Sequence, residues 1–120
     1  MADSQASTRQ AGQVLEALEQ VIAARKGGDA GRSYTATLLA GGPAKAGAKV
    51  TEEAEELVRA AGGEADERVV AEAADLVYHM LVLLACRDVS LAQVEDELAR
   101  RFGVSGLAEK AARTAGGGST

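Results

Sequence analysis

The sequence predicts an all-α fold, a bundle of about four to five helices, and three observations carry that expectation. Apolar residues recur at helical spacing in one segment after another, no stretch alternates with the period of a strand, and the aromatic content is only 2%. A core so poor in rings must be built from Leu, Val and Ala, which suits packed helices. At 120 residues the chain fits one small domain, expected over 11–113, with disordered ends at 1–10 and 114–120.

The first helix is expected from about Ala11 to Lys26, because Val14, Leu15, Leu18, Val21 and Ile22 share one face. "GGDAGR" ends it, three glycines in six residues disfavouring any regular element. Ser33 is then placed to cap a short helix through "YTATLLA", which "GGP" stops. Pro43 suits the first position of a third helix, where its missing N–H is not needed. That helix should run to about Ala61 and end at two glycines. The fourth, from about Glu64 to Cys86, becomes apolar nearly all round in "LVYHMLVLLAC", which puts its later turns in the core. Ser90 and Gln93 have the spacing of a capping box for a fifth helix carrying Leu91, Val94, Leu98 and Phe102 on one face, with Gly103 just past its end. "SGLAEKAAR" suits one more short helix. A fourth helix this apolar needs cover on every side, so a homodimer is expected.

Composition narrows the function. A net charge of −5 argues against nucleic-acid binding, which needs clustered basic residues. Cys86, the single cysteine, excludes an intrachain disulfide and suits a reducing cytoplasm. "MADSQASTRQAGQ" has no secretion signal, and Leu76–Cys86 is too short to cross a bilayer, so no membrane partner is expected. Neither GxxxxGK[ST] nor GxGxxG occurs, so any nucleotide must be held through metal and basic side chains.

The stretch "KVTEEAEEL" crowds Glu52, Glu53, Glu55 and Glu56 into little more than one turn, where like charges repel. At 100° per residue Lys45, Lys49, Glu52, Glu53 and Glu56 share one sector of the third helix, opposite Val50, Ala54, Leu57 and Ala61, while Glu55 falls outside it. On the fourth helix Glu72, Asp75 and His79 share a face. If the two helices pack antiparallel across the short "GGEA" turn, the pairs Glu53/Glu56 and Glu72/Asp75 can face each other. Converging carboxylates are destabilising unless cations sit between them, and Mg²⁺ is the natural candidate, with Mn²⁺ nearly as suitable. One histidine without a second soft ligand argues against structural zinc. Plainer readings stay open beside this one. "EEAEE" also suits a solvated helix face, His79 a hydrogen-bonded core position, and Tyr34 and Tyr78 packing positions with a polar tip. Lys45 and Lys49 either pair with neighbouring glutamates or hold substrate phosphates.

"SYTATLL", "KVTEEAEELVRAA", "EAADLVYHMLVLL" and "VSLAQVEDELARRFGVSGLAEKAAR" together resemble the phosphoribosyl-ATP pyrophosphatases of histidine biosynthesis. These are similar to the MazG-type all-α nucleotide pyrophosphohydrolases, whose signature is EExxE followed on the next helix by ExxD. The resemblance covers about Leu15 to Arg113 and implies Mg²⁺-dependent hydrolysis of phosphoribosyl-ATP to phosphoribosyl-AMP and pyrophosphate, usually by a homodimer. It implies metal binding by Glu53, Glu56, Glu72 and Asp75, and a catalytic part for Glu52, Glu53 and Glu56, with Glu52 orienting the attacking water or taking its proton. Lys49 matches a basic residue that commonly precedes the motif, and His79 the histidine of "YH"; with Lys45 they are the expected substrate-binding residues. Thr51 departs from the family, which often has Gly there, and "RKGGDAGRSYT" is glycine-rich where related sequences often carry Pro. Two other functions fit the same residues: a MazG-like enzyme clearing ordinary or damaged nucleoside triphosphates, and a non-catalytic helical dimerisation module.

Overall fold

A computed structural model describes residues 12–103 of the chain. The expected helix in "SGLAEKAAR" and the expected disordered ends at 1–10 and 114–120 lie outside the described residues. Four helices follow one another: α1 (Gln13–Arg25), α2 (Tyr34–Ala61), α3 (Asp66–Cys86) and α4 (Leu91–Phe102). Among the described residues there is no strand. Helices α1 to α3 belong to one compact unit that reaches Val89, and α4 to a second that begins at Ser90.

The two helices expected on either side of "GGP" are the two arms of α2. Gly42 breaks it, with φ 78° and ψ −173°, a backbone region open almost only to glycine. Pro43 removes the donor that a continuous helix would need at this point and drives the preceding residue out of the helical region. Ser33 caps the first arm, its Oγ accepting from the Ala36 N–H at 3.2 Å. At the other end Gly62 is right-handed helical (φ −74°), so the turn to α3 does not use the left-handed freedom of glycine. The chain reverses there through N–H bonds from Gly62, Gly63 and Glu64 back to the last carbonyls of α2.

The three helices of the first unit share a small core of Ile22 from α1, Leu38, Ala46 and Ala60 from α2, and Leu81 and Val82 from α3. Alanines on α2 let α3 come close, and α2 and α3 form the main packed pair. Lys26, just past α1, donates to the Ala85 carbonyl at 2.8 Å and pairs with Asp88 at 2.5 Å, supplying the cation that the last turn of α3 lacks. In α4, Ser90 and Gln93 make the expected capping box and Gly103 takes a left-handed conformation, φ 67°.

Two expectations about α3 need revision. The run from Leu76 to Cys86 was too short to span a bilayer, but the whole 21-residue helix is long and apolar enough by length and composition alone. Only 22% of its most apolar stretch is fully buried: its later turns contribute Leu81 and Val82 to the core, and Leu76, Val77, Leu83 and Leu84 are half-buried. Helix α2 likewise turns Ala46, Glu53 and Ala60 inward and leaves Val58 open beside Ala54, Glu55 and Arg59, which line a surface groove of about 510 Å³.

Gly42 and Gly47 separate backbone conformation from packing, because an added Cβ would meet no atom within 4 Å at either position. Gly42→Ala should cost about 1–3 kcal/mol, read as a lower urea midpoint. Gly47→Ala, inside the helical arm, should gain about 0.5–1 kcal/mol in the same assay.

Candidate functional site

Turning α3 back along α2 brings the two acidic motifs together. Glu53 and Glu72 are both buried, 6% and 5% exposed, and lie across the seam between the helices. Two groups of carboxylates converge, each with its oxygens within 4.8 Å of one another: Glu52, Glu53 and Glu56 on α2, and Glu53 with Glu72 and Asp75 across the pair. Glu53 belongs to both. The spacing of the residues suggested two facing pairs, whereas the structure joins them through one shared carboxylate.

Carboxylates this close repel one another, most at Glu53 and Glu72, where little solvent screens them. Two cations answer five acids. Lys49 donates to Glu52 Oε1 at 2.8 Å and lies 3.6 Å from Glu53 Oε2. Arg68 bonds Glu72 through Nη2 and reaches Glu64 through Nε at 3.4 Å. Glu56 and Asp75 have no basic partner among the described residues. The donor set is all carboxylate oxygen, shares one ligand, and is short of positive charge, so it fits hard divalent cations such as Mg²⁺ or Mn²⁺.

The basic residues divide. Lys49 is held in the site by its two acidic partners, and its hydrogen bond lowers the Glu52 pKa while raising its own. Lys45 is exposed and lays its stem against Gly41 at the break in α2. His79 follows Asp75 by one turn and is 6% exposed. Its Nδ1 lies 2.8 Å from the Asp75 carbonyl and its Nε2 2.9 Å from the Tyr34 hydroxyl. A carbonyl can only accept, so Nδ1 carries the proton and, in the neutral ring, Nε2 accepts from Tyr34. Partial burial raises the pKa of the Tyr34 phenol, Lys49 works against this, and Tyr78, Glu53 and Glu52 add to it.

Reading the sequence did not single out Arg68, although its i,i+4 spacing to both Glu64 and Glu72 is a visible signal. The Tyr34–His79 and Thr35–Tyr78 side-chain bonds left no comparable trace, since both cross between helices far apart in sequence.

The family model for phosphoribosyl-ATP pyrophosphohydrolase matches residues 15–102. A phosphoribosyl-ATP pyrophosphatase of Dinoroseobacter shibae is 54% identical over 101 residues, covering 83% of this chain and 98% of the relative. One from Caulobacter sp. strain K31 is 55% identical over 101 residues, 84% of this chain and 94% of the relative. Another, from Trichlorobacter lovleyi, is 53% identical over 100 residues, 83% and 93% respectively.

The Lys49 contact predicts a titration change. In Lys49→Met, the Glu52 side-chain carboxyl, followed by ¹³C NMR, should titrate at a higher pH than in the parent, because the hydrogen bond that depresses it is gone. An unchanged midpoint would mean that the contact is not populated in solution.

Proposed function

The chain belongs to the phosphoribosyl-ATP pyrophosphohydrolase family, hydrolases of histidine biosynthesis, and we propose that it cleaves phosphoribosyl-ATP to phosphoribosyl-AMP and pyrophosphate at the carboxylates shared between α2 and α3. The observation that carries this placement is the pair of acid groups meeting at buried Glu53, with Lys49 and Arg68 the basic partners among the described residues.

Glu53, Glu56, Glu72 and Asp75 would hold Mg²⁺, with Mn²⁺ as a substitute. When bound, the metal neutralises phosphoanhydride oxygens, favours departure of pyrophosphate and lowers the pKa of coordinated water. The side chains do the rest. Lys49, paired with exposed Glu52 at 2.8 Å, would exchange that partner for a substrate phosphate. Glu52 then loses the ammonium that depresses its pKa and becomes a better acceptor for the proton of the attacking water. Lys45, one turn before Lys49 and exposed, is available to the outer phosphates. Arg68 holds Glu72 in place from the far side of the site.

A second copy of the chain is the natural cover for α3, whose apolar stretch is only 22% buried, and for exposed Val58 and Val70. A cytoplasmic homodimer acting on a small-molecule nucleotide, without nucleic acid or membrane, is the reading we adopt.

The purified chain should release pyrophosphate from phosphoribosyl-ATP with Mg²⁺ and not with EDTA, and much faster than from ATP or deoxynucleoside triphosphates. Comparable release from the common triphosphates would move it to the housekeeping enzymes. Glu56→Ala or Asp75→Ala should lose about a hundredfold or more in kcat/KM yet keep the parent's helical circular dichroism, since each removes a repelling charge. Mg²⁺ at a hundred times its Kd should stabilise the parent by about 2.7 kcal/mol, read as a rise in Tm that EDTA reverses.

A further inference from the structure

Both tyrosines and the single histidine of the chain meet at one place beside the carboxylates. Tyr34 and Tyr78 lie with ring centroids 6.3 Å apart and planes 26° from parallel, while His79 stands edge-on to both, at 5.8 and 4.8 Å. Their exposures differ in a way that separates their roles. His79 is 6% exposed and both its nitrogens are engaged, so it has no polar atom left to offer a ligand. Tyr34 is 53% exposed.

Resting on the reaction assigned above, we propose that Tyr34 receives the adenine ring of the substrate, with His79 the positioning residue that holds the Tyr34 ring. Three features support this division. The ring is fixed before any ligand arrives: its hydroxyl is bonded to His79, and the next residue, Thr35, is bonded to Tyr78. A fixed, half-exposed ring gives up little rotamer freedom when a flat base stacks on it. It also stands at the margin of the acids, since Lys49, Glu53 and Glu52 all act electrostatically on its phenol, and His79 is one turn from Asp75. A nucleotide whose phosphates lie among the carboxylates and Lys49 would have its base within reach of this ring. Finally, among the described residues of the first unit no other aromatic ring is half exposed, Tyr78 being more covered and Phe102 belonging to α4.

Loss of a stacked base by side-chain truncation typically weakens binding about 10- to 100-fold. Tyr34→Leu should therefore raise KM for phosphoribosyl-ATP by about that factor and leave kcat within about threefold, while Tyr34→Phe, which keeps the ring but loses its bond to His79, should raise KM by a smaller factor. A binding readout stands beside this one. The chain has no tryptophan, so in Tyr78→Phe the only tyrosine emission is that of Tyr34. Phosphoribosyl-AMP should quench it, and ribose 5-phosphate with pyrophosphate should not. An unchanged KM in Tyr34→Leu, or emission indifferent to phosphoribosyl-AMP at concentrations that saturate product inhibition, would overturn the assignment of Tyr34 alone. If Tyr34→Leu fails to fold, the emission measurement decides by itself. Absence of turnover in the parent chain would overturn the reaction and this inference with it.

Discussion

Repulsion among five carboxylates gathered between two helices is the constraint to which the rest of the first unit answers. Glu52, Glu53, Glu56, Glu72 and Asp75 come within 4.8 Å of one another in two groups, and the repulsion is least screened at Glu53 and Glu72, which are buried. The core beside them is small, built on Ile22, Leu38, Val82 and alanines, so packing alone has little surplus with which to hold the acids together. Lys49 and Arg68 offset part of the charge, each from the same helix as its partner. The divalent cation we propose for this site would offset the remainder, and such an ion is suited to a phosphoanhydride substrate. Stability and chemistry thus draw on one charge balance.

The break at Gly42 decides where the aromatic cluster lies relative to the acids. In an unbroken helix the 19 residue steps from Tyr34 to Glu53 would span roughly 28 Å. The φ of 78° at Gly42 turns the first arm of α2 so that Tyr34 reaches His79, one turn from Asp75. A glycine and a proline, the two residues least suited to a helix interior, therefore set the distance between the aromatic cluster and the acids.

Much of this was legible in the sequence because it depended on local rules. Helical period, the Ser33 and Ser90 caps, the stop at "GGP" and the Lys49–Glu52 pair all involve residues within a few positions of one another. The facing of the acidic motifs was also legible, since a four-residue turn between long helices leaves few alternatives to an antiparallel pair. What escaped was non-local. Sharing of Glu53 between both acid groups depends on how far the helices rotate about their axes, and the period fixes a sector rather than an angle. The Tyr34–His79 bond depends on the direction taken after Gly42, and the sequence marks the break without its geometry. The half-buried apolar residues of α3 escaped as well: periodicity marked them for burial without saying what would bury them.

The most direct test is a Mn²⁺ titration followed by electron paramagnetic resonance, with the parent chain and Glu53→Gln side by side and Mg²⁺ as competitor. If Glu53 joins the two acid groups, the parent should take up Mn²⁺ that Mg²⁺ displaces, and Glu53→Gln should lose that uptake while keeping its fold. Equal uptake by both proteins, or none by the parent, would contradict a metal centre built around Glu53.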